Sequence, residues 1–364
     1  MKILVINPGS TSTKISVYEN DRELFTNSIF HDADVLKQYS HINEQIPFRK
    51  DLILKMLNDN GCLIEDIDAY VGRGGSAYSQ KEGVTIIDKA LYDDTYNGVG
   101  GSEHPAKLGV LIAYELGSKY NKPMFTMNPT NLDELADVAR ITGIEGVYRN
   151  PSSHALNQKA AARYYCEHNN LDYENVNLIV AHIDGGITVG AHCHGKIIDC
   201  NVGSGGDGPF SPTRIGSVPI GSLIKYLKEH SLQEVETMLS KTGGFVSFFG
   251  TSKADTIREL MNNGDEKATT VWHAMIYNIA KQIGAMASVL KGDVKQIILT
   301  GGYIRFPDLV EEIKDYCGYI APISIVNDRE QETLALETYK VLINKNKAIV
   351  YERKPVFTKF GFDK

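Results

Sequence analysis

The strongest constraint in this chain is a motif that occurs twice, about half the chain apart. Lys2 to Ile6 is a short apolar run. Asn7-Pro8-Gly9-Ser10-Thr11-Ser12-Thr13-Lys14 follows at once, and a β-prone run, Ile15 to Tyr18, leads into a turn at Asn20-Asp21. Leu178-Ile179-Val180-Ala181 repeats the apolar run, and His182-Ile183-Asp184-Gly185-Gly186 repeats the glycine-bearing turn. Ile187 to His192 repeats the returning strand, and His194-Gly195-Lys196 the next turn. One order at a nearly constant offset marks a duplication of half-chain size rather than a solenoid unit. Each copy reads as a β-hairpin with a loop suited to an anion. Glycine lets backbone N–H groups approach closely, the hydroxyls of Ser10 and Ser12 add donors, and Lys14 supplies a point charge. One such loop alone is equally an ordinary polar turn. The second copy shifts the reading toward a cleft that grips phosphates from both sides.

Strands alternate with helices along the rest of the chain. Strands are expected at Glu23 to Phe30, near Asp68 to Val71, and at Met124 to Met127. Further strands fall at 178–183, 186–193, 196–200, Gln296 to Thr300, and Ile323 to Val326. Helices are expected at Arg49 to Asn58, Lys107 to Lys119, Leu132 to Ile141 and His154 to His168. More follow near 219–229, 233–240, 253–262 and 267–290, from about Asp308, and from Thr333 to Ile343. This alternation predicts an α/β fold. The domains are read as 1–150 and 151–364, with the boundary falling near 145–176. The last helix is a candidate to pack back on the first domain.

Composition narrows the function. At 364 residues the chain can bury a large core, and 42% hydrophobic with 23% charged residues is ordinary for a globular protein. A net charge of −7 without any Lys/Arg-rich run argues against nucleic acid or an anionic membrane as partner. No apolar stretch approaches a membrane span, and the first residues enter a strand rather than a secretory signal. Five scattered cysteines fit a reducing cytoplasm. His182, His192, Cys193, His194 and Cys200 invite a zinc reading. Neighbouring strand residues face opposite sides, however, and no CxxC is present.

Five segments together carry a resemblance. They are Asn7–Lys14, Gly72–Gly75, Ser153-His154-Ala155-Leu156-Asn157-Gln158-Lys159, Gly208-Pro209-Phe210-Ser211-Pro212-Thr213-Arg214, and Leu299-Thr300-Gly301-Gly302. In this order, across nearly the whole chain, they resemble the acetate kinase family and most closely its butyrate-kinase branch. The resemblance implies two ribonuclease-H-like domains of the actin-like superfamily with a cleft between them. It also implies reversible transfer of the ATP γ-phosphate to a short-chain carboxylate such as butyrate, with ADP as product, Mg2+ required, and a homo-oligomer of two or more chains. Arg73 and Arg214 match catalytic arginines, His154 a histidine that bonds the transferring phosphoryl, and His104, less closely, a second active-site histidine. Asn7, Ser10, Ser12 and Lys14 match the first phosphate loop, and His182, Gly185 and Gly186 the second, with Asp184 inside it. Gly301 and Gly302 match an adenosine-binding turn. Asn7 and Glu330 match residues that handle metal, with Glu332 an alternative to Glu330. Phosphoryl transfer rests on positioning and charge stabilisation, and an ionised carboxylate nucleophile needs no base.

The chain departs from the family at two positions. Asn128 stands where the family has a metal-organising Asp, and Asp184 stands where it has Gly. These departures read either as drift toward a nucleotide-binding paralogue without activity or as compensation of one charge by the other. Tyr303, after the second glycine turn, is read as an adenine-stacking or a core residue. A sugar or polyol kinase of the same superfamily is a further alternative, but it would need an Asp general base that the matched segments do not supply.

Overall fold

The computed structural model describes residues 1–10, 12–101 and 104–363. The chain forms two units, Met1–Asp133 with Arg329–Lys364, and Glu134–Asp328. The units therefore divide after Asp133 and again after Asp328, rather than once near residue 150.

Six strands make the sheet of the first unit: β1 (Lys2–Pro8), β2 (Ser12–Glu19), β3 (Arg22–Phe30), β4 (Ala69–Arg73), β5 (Val84–Ile86) and β6 (Met124–Met127), in the order β3-β2-β1-β4-β6-β5. The opening hairpin is antiparallel, with Asn7 opposite Lys14. β1, β4 and β6 run parallel, which sets Ile6 beside Gly72 and Arg73 beside Met127. Leu4, Ile6, Ile15 and Val17 face Ile53, Leu57, Leu111 and Leu116 in one buried core. A Cβ on Gly72 would lie 2.1 Å from the Gly109 carbonyl oxygen, so bare backbone on both partners lets the helix Lys107–Tyr120 approach the strand that carries Arg73.

The second unit has β7 (Asn177–Ile183), β8 (Ile187–Cys193), β9 (Lys196–Cys200), β10 (Gln296–Thr300) and β11 (Ile323–Ile325), in the order β11-β10-β7-β8-β9. Read from its hairpin edge, β9-β8-β7-β10-β11 reproduces β3-β2-β1-β4-β6. Two antiparallel pairings are followed by parallel ones in both sheets. The sequence repeat is thus a repeat of topology. One face of this sheet packs on the helix Glu266–Val289, which buries Ala268, Trp272, Met275, Ile276, Ile279 and Ile283 at helical spacing. Its other face meets the helix Ala155–His168 through Ala161, Ala162 and Cys166.

Most expected elements form, with boundary shifts of a few residues. Leu132 to Ile141 is a correction, since only Asp137–Arg140 is helical. The backbone N–H of Asp133 donates to Gln80 and that of Ala136 to Ile198, both at 2.9 Å, so this segment is bonded outward rather than to itself. The helix Lys89–Asn97 is absent from the sequence reading although its signals are present. Asp88 accepts from the Leu91 N–H at 2.8 Å, and Gly98 closes the helix at φ 66°.

The helix Glu330–Leu342 belongs to the first unit, where it buries Leu334, Ala335 and Thr338. Gln331 Nε2 donates to Ser16 Oγ on β2 at 2.8 Å. Beyond it, the Tyr351 hydroxyl and the Arg353 guanidinium both bond the buried carboxylate of Asp94. Among the described residues, no helix is long and apolar enough to cross a membrane.

Candidate active site

The carboxyl ends of adjacent parallel strands are where α/β sheets gather ligand groups. In the first unit, Asn7 stands near the end of β1 and Arg73 closes β4. Glu330, the first residue of the returning helix, meets them. Asn7 Nδ2 donates to Glu330 Oε2 at 2.8 Å, and Arg73 Nη1 lies 3.4 Å from the same oxygen and 3.5 Å from Asn7 Oδ1. Glu330 is 5% exposed, so its charge is held by a cation and an amide donor rather than by water. Glu332, the other candidate, bonds Arg329 on the same helix at 3.2 Å instead. Glu330 Oε2 thus faces the amide nitrogen of Asn7 and the Arg73 guanidinium, and among the described residues no group of three or more His, Cys, Asp or Glu gathers to hold a metal.

The remaining candidates of this unit surround the hairpin loop or open a helix. Gly9 N–H donates to Ser12 O at 2.8 Å and closes the loop, leaving Ser10 exposed. Lys14 is half-buried on β2. His104 Nδ1 accepts the Ala106 N–H at 3.1 Å, which places the neutral ring's proton on Nε2. Asn128 follows β6 at φ 42° and is 2% exposed. Its Oδ1 accepts the Gly83 N–H at 3.1 Å, and its Nδ2 has no partner among the described residues. One of the two lone pairs on its amide oxygen is therefore engaged by backbone.

In the second unit the turn Asp184-Gly185-Gly186 joins β7 to β8. A Cβ on Gly186 would lie 2.5 Å from Arg214 Nη1, so glycine at this position allows the guanidinium to lie on the turn. Arg214 Nη1 donates to Gly203 O at 2.7 Å, while its buried Nε has no partner among the described residues. Burial draws this guanidinium below its ordinary pKa, and it remains cationic at neutral pH. Ser211 locks its segment to the turn, donating Oγ to Gly185 O at 2.9 Å. Gly185 itself is exposed, with nothing within 4 Å of a Cβ built on it.

His154 and His182 form a stacked pair, with centroids 3.9 Å apart. His154 Nδ1 meets Thr188 Oγ1 at 2.9 Å, and His182 Nδ1 meets Asn157 Oδ1 at 2.8 Å. Asn157 Nδ2 in turn bonds Asp328 at 3.2 Å. His182 is only 8% exposed and lies beneath His154, which is the more open of the two.

Asp184 and the Gly301-Gly302 turn meet directly. Asp184 Oδ1 accepts the Gly185 N–H at 2.8 Å and Oδ2 the Gly302 N–H at 3.0 Å. Tyr303 is 7% exposed, stacks on Trp272 and meets Phe306 edge-on, so it is a core residue. Thr188, Asn157 and Ser211 were not singled out from sequence. Asn157 and Ser211 stand inside the matched segments, which was the available signal. Thr188 shows its role only once the helix Ala155–His168 lies against β8.

The duplicated strand order with glycine turns at strand ends is that of a two-domain ribonuclease-H-like, actin-like fold. Residues 144–352 match the model of the Acetokinase family. A protein described as "Probable butyrate kinase" from Clostridium botulinum (strain Alaska E43 / Type E3) is 43% identical over 354 residues, 96% of this chain and 99% of its own. The crystal structure of Porphyromonas gingivalis acetate kinase superposes with a TM-score of 0.77 at 20% identity, covering 94% of this chain and 99% of that one. Acetate kinase from Entamoeba histolytica gives a TM-score of 0.74 at 17% identity, covering 93% and 99%. The chain belongs to the acetate kinase family.

Proposed function

We propose that this chain is a butyrate kinase. A carboxylate oxygen of the acid attacks the γ-phosphorus of ATP, the bond to the bridging β–γ oxygen breaks, and butyryl phosphate and ADP result. The reaction runs in both directions. The observation that carries this reading is the 43% identity, over nearly the full length of both chains, to a relative described as a butyrate kinase.

The chemistry of the groups supports it. The acid is ionised at neutral pH, so the reaction calls for cations and donors rather than a base. Arg73 neutralises the acceptor carboxylate or the transferring group, and Arg214 stabilises charge on its equatorial oxygens. His154 donates a hydrogen bond to the transferring phosphoryl, and His104 Nε2–H is a second neutral donor. The loop of Ser10, Ser12 and Lys14 and the turn of Gly185 and Gly186 hold phosphates, and Gly301 and Gly302 face the adenosine. Glu330 with Asn7 would hold Mg2+, which neutralises phosphate charge when bound. Asn128 supplies no charge to this set, and a single protein carboxylate is enough where phosphates complete the shell. We place the enzyme in the cytoplasm as a homo-oligomer.

The test is acyl-hydroxamate formation by the purified protein with ATP and Mg2+ across acetate, propionate, butyrate, valerate and their branched isomers. Highest kcat/KM with a four-carbon acid is expected. ADP binding without hydroxamate from any acid would replace this reading with that of a nucleotide-binding paralogue.

A further inference from the structure

We propose that Asp184 is a positioning residue that fastens the turn at Gly301-Gly302 to the turn at Gly185-Gly186, and so sets how the second unit holds a nucleotide. The inference deepens the proposed function and rests on its assignment of these turns to the nucleotide.

The argument begins with the strands. β7 and β10 are parallel neighbours, with Thr300 beside His182, so their ends deliver Asp184 and Gly301 to the same edge of the sheet. Gly301 takes φ 96°, and a Cβ there would lie 2.4 Å from Ile183 O. A Cβ on Gly302 would lie 2.9 Å from Asp184 Oδ2. Both glycines therefore permit a close approach, and the Asp184 carboxylate occupies the meeting point.

Each carboxylate oxygen accepts one N–H, and each N–H comes from a different turn. Charge-assisted bonds of this kind are stronger than neutral ones. A carboxylate beside a phosphate turn would repel phosphate if it pointed outward unpartnered. Here the exposed carboxylate is directed onto backbone donors of the two turns.

The fastening continues beyond the two turns. Ser211 Oγ and Thr213 Oγ1 both reach Gly185 O, and Arg214 lies against Gly186. One path therefore runs from Gly302 through Asp184 and Gly185 to the segment that carries Arg214. A glycine at 184 keeps the turn but loses both bonds. An asparagine keeps only one neutral acceptor oxygen for the two donors.

The experiment compares wild type, Asp184→Asn and Asp184→Gly in two measurements. The first is hydrogen exchange of the segment 301–305 without nucleotide. The second is calorimetric ADP binding in EDTA, followed by KM for ATP and for butyrate with Mg2+. We expect faster exchange in both variants, ADP binding roughly ten-fold weaker in Asp184→Gly with Asp184→Asn intermediate, and KM for butyrate little changed. Unchanged exchange at 301–305 would overturn the fastening. Unchanged or tighter ADP binding in Asp184→Gly would overturn its role in nucleotide placement. A defect confined to the Mg2+ requirement would make Asp184 a metal ligand instead. A wild type that binds no ADP would defeat the nucleotide reading of the turns, while the exchange data would still decide whether Asp184 joins them.

Discussion

The two copies of the hairpin share a topology and differ in how they hold charge. In the first unit the strand ends carry formal charges in direct contact, with Arg73 and Asn7 on the buried carboxylate of Glu330. In the second unit the turn is mostly backbone, with Asp184 bonded to two N–H groups and Arg214 lying on Gly186. Duplication fixed the scaffold, and the halves then diverged in chemistry. One strand end pairs side-chain charges with each other, and the other pairs a side-chain charge with backbone.

The largest effects should come from the arginines and should separate the units. Arg73→Ala and Arg214→Ala are each expected to lower turnover by roughly two to three orders of magnitude, as for loss of a preorganised donor at a charge-developing centre. Arg73→Ala also strands a buried carboxylate and should cost about 2 kcal/mol of stability. Arg214→Ala has no such partner to strand and should unfold close to wild type. Steady-state kinetics with urea unfolding checks both, and equal stability losses would erase the contrast.

Acid should act on both units through buried histidines. Burial, with Arg49 nearby, pulls His31 in the first unit from 6.5 down to about 4. Burial, with Lys159 and Arg163, holds His192 in the second unit well below its ordinary value. Its two ring nitrogens bond Tyr173 and Gln158. Both rings stay neutral when folded, whereas the unfolded chain protonates them near 6.5. Between that pH and about 4 the unfolded state binds more protons, so stability falls as pH falls. His31→Gln should flatten the acid loss measured by urea unfolding at pH 7, 5.5 and 4, and an unchanged slope would remove His31 from the account.

A smaller effect should sharpen the metal side of the comparison. Glu330→Gln keeps the size of the side chain and removes its charge. It should raise the Mg2+ concentration for half-maximal rate roughly ten-fold and leave ADP affinity in EDTA unchanged. The smallest contrast lies within the second turn. Gly186→Ala pushes on Arg214 and should lower turnover a few-fold with little loss of stability, because a flexible side chain can yield. Gly185→Ala meets no protein atom within 4 Å and should leave stability unchanged, and a modest rise in KM for ATP in steady-state assays would mark phosphate approach at this turn.

The scaffold was legible because it is local and repeated. Hairpins, buried strands and long amphipathic helices declare themselves by period and by turn residues. The candidate site can be read from sequence as a roll of residues, through motif order, but not as an arrangement. Glu330 reaches Asn7 across 323 positions of sequence, which periodicity does not report. Asn128 stands where the family has a metal-organising Asp, and its Oδ1 accepts the Gly83 N–H, a partner set by how β5 lies against β6. Tyr303 could be read as a stacking surface or as core, and only the position of Trp272 decides for core. The segment from Leu132 misled because its composition favours a helix while its backbone bonds elsewhere.

The first unit is built from both ends of the chain, and this has a consequence for its biosynthesis. Glu134–Asp328 leaves the ribosome as one continuous stretch, whereas Arg329–Lys364 follows it. Domains generally fold as units during synthesis. The second unit can therefore close its core while Asn7 and Arg73 still await Glu330. The strands made first are finished last, because the helix that completes their unit is the last helix of the chain to be made.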